Sequence, residues 1–156
     1  MKMTSKPMAV IILVILFGGI ALTTALGWWA TETTKEPAKF SDGEAAGEYN
    51  PLDIRGSYTF GDISRLFEIP LEDLAAAFQV PAGEDAAGFQ VKSLEEQFAA
   101  FPVELGTSSV RLFTAFYTGL PYDLTVEEVY LPDSAVEVLL AKAQLNEEQK
   151  AYLAAH

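Results

Sequence analysis

Residues 8–29, MAVIILVILFGGIALTTALGWW, contain no charged side chain and follow a short basic leader carrying Lys2 and Lys6. As a helix rising about 1.5 Å per residue, this run reaches about 33 Å, enough to cross a hydrocarbon layer of roughly 30 Å. Water is absent from that layer, so the backbone must satisfy its own hydrogen bonds, and a lone segment of this length does so only as a helix. The sequence therefore predicts a leader and transmembrane anchor over residues 1–30, with residues 8–29 in a lipid bilayer. The competing reading is a cleaved signal peptide, for which Ala25-Leu26-Gly27 supplies small residues where a signal peptidase reads. Against it, the apolar run exceeds the usual h-region of about 7–15 residues. With no cysteine in the chain, a lipoprotein anchor is excluded.

Basic residues ahead of a first span are retained in the cytoplasm, so Lys2 and Lys6 predict a cytoplasmic N-terminus and an extracytoplasmic domain in a single-pass cell-membrane protein. Trp28 and Trp29 end the run where amphipathic rings favour the headgroup layer, which marks them as the outer membrane interface. Gly19, Thr23 and Gly27 recur every fourth residue and form a small-residue strip suited to packing against another membrane helix.

Residues 31–50, TETTKEPAKFSDGEAAGEYN, show no sustained apolar period and read as a linker or an extended arm, with Phe40 and Tyr49 its only large apolar groups and able to dock on the domain. Residues 51–156 then form one small domain. It holds six basic against seventeen acidic residues, a net charge of −11. Such a surface repels phosphate backbones and anionic headgroups, which argues against nucleic acid and against flat adhesion to the bilayer and leaves proteins, membrane or extracytoplasmic, or cations as the expected partners.

The punctuation of the domain is helical. Thr59 with Asp62, Ser93 with Glu96, Thr125 with Glu128 and Asn146 with Gln149 have the spacing of capping boxes. Apolar stripes at three- or four-residue spacing accompany them: Phe60, Ile63 and Phe67; Leu71, Leu74 and Phe78; Leu94, Phe98 and Phe101; Val110, Phe113 and Tyr117; Val136, Leu139, Leu140 and Ala143. Pro70 and Pro132 suit helix starts, and Gly119 suits a helix end. The fold class expected is all-α, a small bundle of five to seven short helices after the membrane helix, with any strand confined to residues 52–58. Thr59 and Thr125 each precede a capped start and an Ile-Pro or Leu-Pro step, which reads as a degenerate internal repeat or as reuse of capping chemistry.

Chemistry is sparse. Without cysteine and with a single histidine, His156, the chain lacks the residues for a thiolate nucleophile, a structural zinc cage or bis-histidine haem ligation, and it offers no Ser/His/Asp triad. Neither G-x-x-x-x-G-K-[ST] nor G-x-G-x-x-G occurs. Carboxylates remain. The densest set, Asp42, Glu44, Glu48 and Asp53, lacks the spacing of an EF-hand loop, while Glu72 with Asp73, Glu127 with Glu128 and Glu147 with Glu148 fall where first-turn acids stabilise helices. No catalytic, cofactor-binding or metal-binding residue and no small-molecule substrate is assigned. Phe113, Phe116 and Tyr117 share one wide helix face, readable as a central core helix or as a partly exposed partner-binding patch containing Phe116 and Tyr117. Tyr122, in the turn over residues 119–123, is a third partner-binding candidate.

NPLDIRGSYTFGDISRLFEIPLEDLAAAF over residues 50–78, together with VRLFTAFYTGLPYDLTVEEVYLPDSAVEVLLAK over 110–142, resembles a poorly characterised domain associated with membrane-bound four-iron ferredoxin-type proteins of anaerobic bacteria, the quinol-dehydrogenase-like group. The resemblance implies an accessory domain beside membrane electron-transfer machinery; it carries no cluster-binding role, because there is no cysteine to hold iron. The expected function is thus a non-catalytic, membrane-anchored accessory or protein-interaction subunit of a membrane complex. Alternatives are a carboxylate-dependent extracytoplasmic hydrolase or metal-dependent enzyme, and an envelope structural protein.

Overall fold

A computed structural model of the chain describes Ile11, Ile12, Val14, Ile15, Phe17, Gly18 and Lys35–His156, divided between a unit Met1–Thr34 and a unit Lys35–His156. The six early residues are helical and exposed. Among the described residues no helix is long and apolar enough to cross a membrane. The expectations for Gly19, Thr23, Gly27, Trp28 and Trp29, and for the anchor as a whole, lie outside the described residues.

The second unit is all-α among the described residues: a 3₁₀ turn at Pro51–Asp53, then α1 (Phe60–Phe67), α2 (Leu71–Ala77), α3 (Ser93–Gln97), α4 (Thr107–Thr118), α5 (Asp133–Lys142) and α6 (Glu147–Ala155). α1 starts where Thr59 Oγ1 accepts the Asp62 N–H at 3.1 Å and the Asp62 carboxylate accepts the Thr59 N–H at 3.0 Å. Two further N–H groups that a helix start leaves unpaired find carbonyls in the loop before α3, Phe60 N to Phe89 O and Gly61 N to Ala87 O, both 2.9 Å. That approach requires glycine at 61, since a Cβ there would stand 2.8 Å from Ala87 O. Asn146 and Gln149 form the equivalent box on α6.

α4 runs through the centre. Val110, Leu112, Phe113, Ala115 and Phe116 are all buried, so apolar contact surrounds most of the helix, and Gly119 ends it in the left-handed conformation (φ 73°). Phe113 meets Phe78 at 5.3 Å between ring centroids, Phe78 meets Phe60 at 5.6 Å, and Phe60 meets Phe89 at 5.3 Å. This aromatic chain joins α4, the end of α2, α1 and the loop before α3. Each of the fully buried rings, Phe60, Phe78 and Phe113, contributes roughly 1.5–3 kcal/mol by leaving water. α5 lies chiefly against α2.

Four expectations are corrected. Residues 52–58 form turns rather than a strand, and the isolated bridges pair Lys39 with Tyr49 and Thr59 with Gln90. Ser93 is the first residue of α3, not its side-chain cap. No helix starts at Thr125: Asp123 Oδ1, two residues earlier, accepts both the Thr125 N–H (2.9 Å) and its hydroxyl (2.6 Å), a local Asx turn that outcompetes the helix start and dissolves the internal repeat. Lys35 to Asn50 is not a free linker but part of the compact unit. Pro37 is buried, Tyr49 packs edge-on to Phe67, and the Ala38 N–H donates to Asp53 Oδ2 at 2.8 Å.

Candidate functional site

α1 and α4 both deliver their C-terminal turns to the arm that precedes the 3₁₀ turn, and the space between them is an open cleft of about 700 Å³. Leu66, Phe67, Tyr117 and Leu120 line it with apolar surface, and Tyr49 closes it from the arm. Charges alternate at its rim: Lys39 and Glu48 on the arm, Arg65 and Glu68 at the end of α1. Lys39 Nζ lies 4.7 Å over the Tyr49 ring. Arg65 leans toward Asp62 at 3.9 Å.

Tyr117 is held rigidly. Its hydroxyl donates to Asp73 Oδ2 at 2.6 Å, and Asp73, only 4% exposed, also accepts from the ammonium of Lys142. Burial together with the adjacent carboxylate pushes the Tyr117 phenol up to about 12, so it stays a protonated donor. For Asp73 burial acts in the opposite sense to its neighbours, but Lys142 and Tyr117 outweigh it and hold the carboxyl below its usual range. One carboxylate thereby ties α2, α4 and α5 together. With its hydroxyl consumed, Tyr117 offers the cleft its ring rather than a hydrogen bond. Asp73, read from sequence as a first-turn acid alone, has this second role.

The three partner-binding candidates do not form one patch. Phe116 is 1% exposed, its ring turned inward against Tyr152 of α6 at 6.4 Å, so it belongs to the core; this corrects its assignment to an exposed surface. Tyr117 is half-buried at the cleft wall. Tyr122 is half-buried at a separate cavity of about 370 Å³ beside Asn146 and Glu148 at the start of α6, where burial raises its phenol. Glu127 is likewise no first-turn acid: it accepts the Ser108 hydroxyl at the start of α4 (3.2 Å). Glu128 accepts from Tyr130 Oη at 2.9 Å and lies 3.3 Å from His156 Nε2.

Lys39, Tyr49, Arg65 and Glu68 drew no functional reading from the sequence. The available signal was Tyr49, a lone aromatic in a polar segment, but the cleft it helps to build gathers residues far apart in the chain. No family model, curated protein or solved structure matches this chain.

Proposed function

We propose that this chain is a non-catalytic accessory subunit, anchored to the cell membrane through residues 8–29, whose acidic helical domain docks a partner protein in the cleft between the arm and the ends of α1 and α4. The observation that carries the reading is the cleft's construction: the rings of Tyr49 and Tyr117, the latter locked by Asp73, set in a lining that is otherwise mostly polar and charged. Protein-recognition surfaces are enriched in aromatic and arginine side chains, and pre-ordered groups such as Tyr117 lower the entropy cost of binding, which supports this reading. The resemblance to quinol-dehydrogenase-like membrane proteins supports membrane electron-transfer machinery as the setting.

A photocrosslinking residue placed at Glu48 in the full chain, in native membranes, is expected to trap a discrete higher-mass adduct. The same residue at Glu84, exposed beside a different cavity, is expected to trap none. Adducts from Glu84 alone, or equally from both, reject the cleft as the docking site. A second measurement addresses topology: protease outside intact spheroplasts is expected to digest the domain while sparing the leader, and full protection until lysis reverses the orientation.

A further inference from the structure

Building on the reading of the cleft as a docking site, we propose that its occupant is a basic segment of the partner protein, a lysine or arginine side chain seated between Glu68, Glu48 and the rings of Tyr49 and Tyr117. The cleft's own cations already have counterparts: Arg65 leans on Asp62, and Lys39 sits on one face of Tyr49. Among the described residues, neither the Glu48 nor the Glu68 side chain takes part in an ion pair or hydrogen bond, so both carboxylates are available to a cation from outside.

Two helices reinforce that negative charge. α1 and α4 end at this cleft, and the last turn of a helix concentrates roughly half a negative elementary charge on its unpaired carbonyls. The aromatic walls add to it, because ring faces attract cations, and Lys39 over Tyr49 shows such a group already held there.

Backbone conformation supplies an independent argument. Glu68 and Gln79 are the two non-glycine residues with positive φ among those described, at 55° and 52°. Side chains disfavour this region, and glycine is the residue that occupies it freely. Gln79 has a structural return: its side-chain amide donates to Ser134 Oγ at 3.1 Å, and its carbonyl accepts from Gln97 Nε2 at 3.2 Å. Glu68 has no comparable contact among the described residues; it is exposed and lines the cleft. A glutamate at a position that suits glycine, without a partner among the described residues, fits a role toward a ligand outside the fold.

The experiment uses the full chain in uncharged detergent micelles and fluorescence anisotropy with three labelled peptides of equal length: lysine, serine and leucine; glutamate in place of lysine; glutamine in place of lysine. The lysine peptide is expected to bind most tightly. Glu68→Gln is expected to weaken it severalfold, and Lys39→Gln to tighten it by vacating the Tyr49 ring. Glu84→Gln removes the same charge elsewhere and is expected to leave binding unchanged. Glu68→Gly is expected to raise the melting temperature while losing binding as Glu68→Gln does, which separates recognition from stability. Equal losses from Glu68→Gln and Glu84→Gln reduce the effect to general attraction by an acidic protein and overturn the proposal. Preference for the glutamate peptide, lost in Arg65→Gln, overturns the basic occupant but keeps the cleft as a docking site. If no peptide responds to any cleft substitution, both readings fall.

Discussion

The two ends of α1 are built on opposite plans. At its N-terminus the Thr59–Asp62 box and two loop carbonyls occupy the leading amides, and Lys35 adds an ion pair to Asp62 at 3.2 Å. At its C-terminus the helix stops on a left-handed glutamate beside an open cleft. The contrast separates two plans within one short helix: the first end fastens α1 to the loop before α3, and the second leaves the Glu68 side chain without a partner among the described residues.

The strongest way to break this comparison is to remove the ring that fastens the first end. Phe60 is fully buried between Phe78 and Phe89, and Phe60→Ala is expected to cost about 3–5 kcal/mol in chemical denaturation of the full chain. A loss below about 1 kcal/mol would show that the loop anchors α1 without the aromatic chain.

Acid addresses the same end through charge. Burial acts to raise the pKa of Asp62, but the Thr59 amide, the Lys35 ammonium and the Thr59 hydroxyl outweigh it and hold the carboxyl below its usual range. Asp73 is lowered likewise by Lys142 and Tyr117 against the effect of burial. A carboxyl whose folded-state pKa is depressed contributes stability that is present above its unfolded value, about 3.9, and is lost as pH falls through the lower folded value. Stability is therefore expected to drop below about pH 4, with a shallower drop in Asp62→Asn and in Asp73→Asn. Parallel acid profiles for wild type and both variants would remove these two groups as the cause.

Smaller effects sharpen the contrast. Thr59→Ala is expected to cost about 1 kcal/mol, the worth of one N-cap. At the other end Glu68→Gly is expected to stabilise by up to about 1 kcal/mol, because glycine adopts the left-handed conformation without the side-chain penalty. Opposite signs at the two ends of one helix, read from melting curves, are the signature; two losses would mean that Glu68 is structural after all.

What was legible in the sequence was local. Thr59 with Asp62, Asn146 with Gln149, and Gly119 act through neighbours within a few residues, and each does in the fold what its spacing announced. Thr125 failed for an equally local reason, since Asp123 reached its amide first. Phe116 and Tyr117 could not be told apart by periodicity: adjacent positions lie about 100° apart on a helix, and only the positions of Tyr152 and Asp73 decide which one turns inward. The cleft draws on segments around residues 39–49, 65–68 and 117–120, so tertiary packing alone creates it. Thr114 belongs with these: its buried hydroxyl lacks a hydrogen-bond partner, and no pattern of neighbours announces that.

The arm has a mechanical consequence. Tension applied at Lys35 runs into an antiparallel loop closed by three backbone bonds, Asn50 N to Ala38 O, Phe40 N to Glu48 O and Gly47 N to Phe40 O. Its two ends lie side by side, so a pull opens the bonds in sequence, as a zipper does, instead of loading them together in shear. Once the loop is peeled from Ala38 to Asn50 it releases about 40 Å of slack, at roughly 3.3 Å per extended residue. Two side-chain ties lie alongside that loop, Lys35 to Asp62 and Ala38 N–H to Asp53, so the same pull also reaches the first turn of α1 and, through Phe60, the aromatic chain.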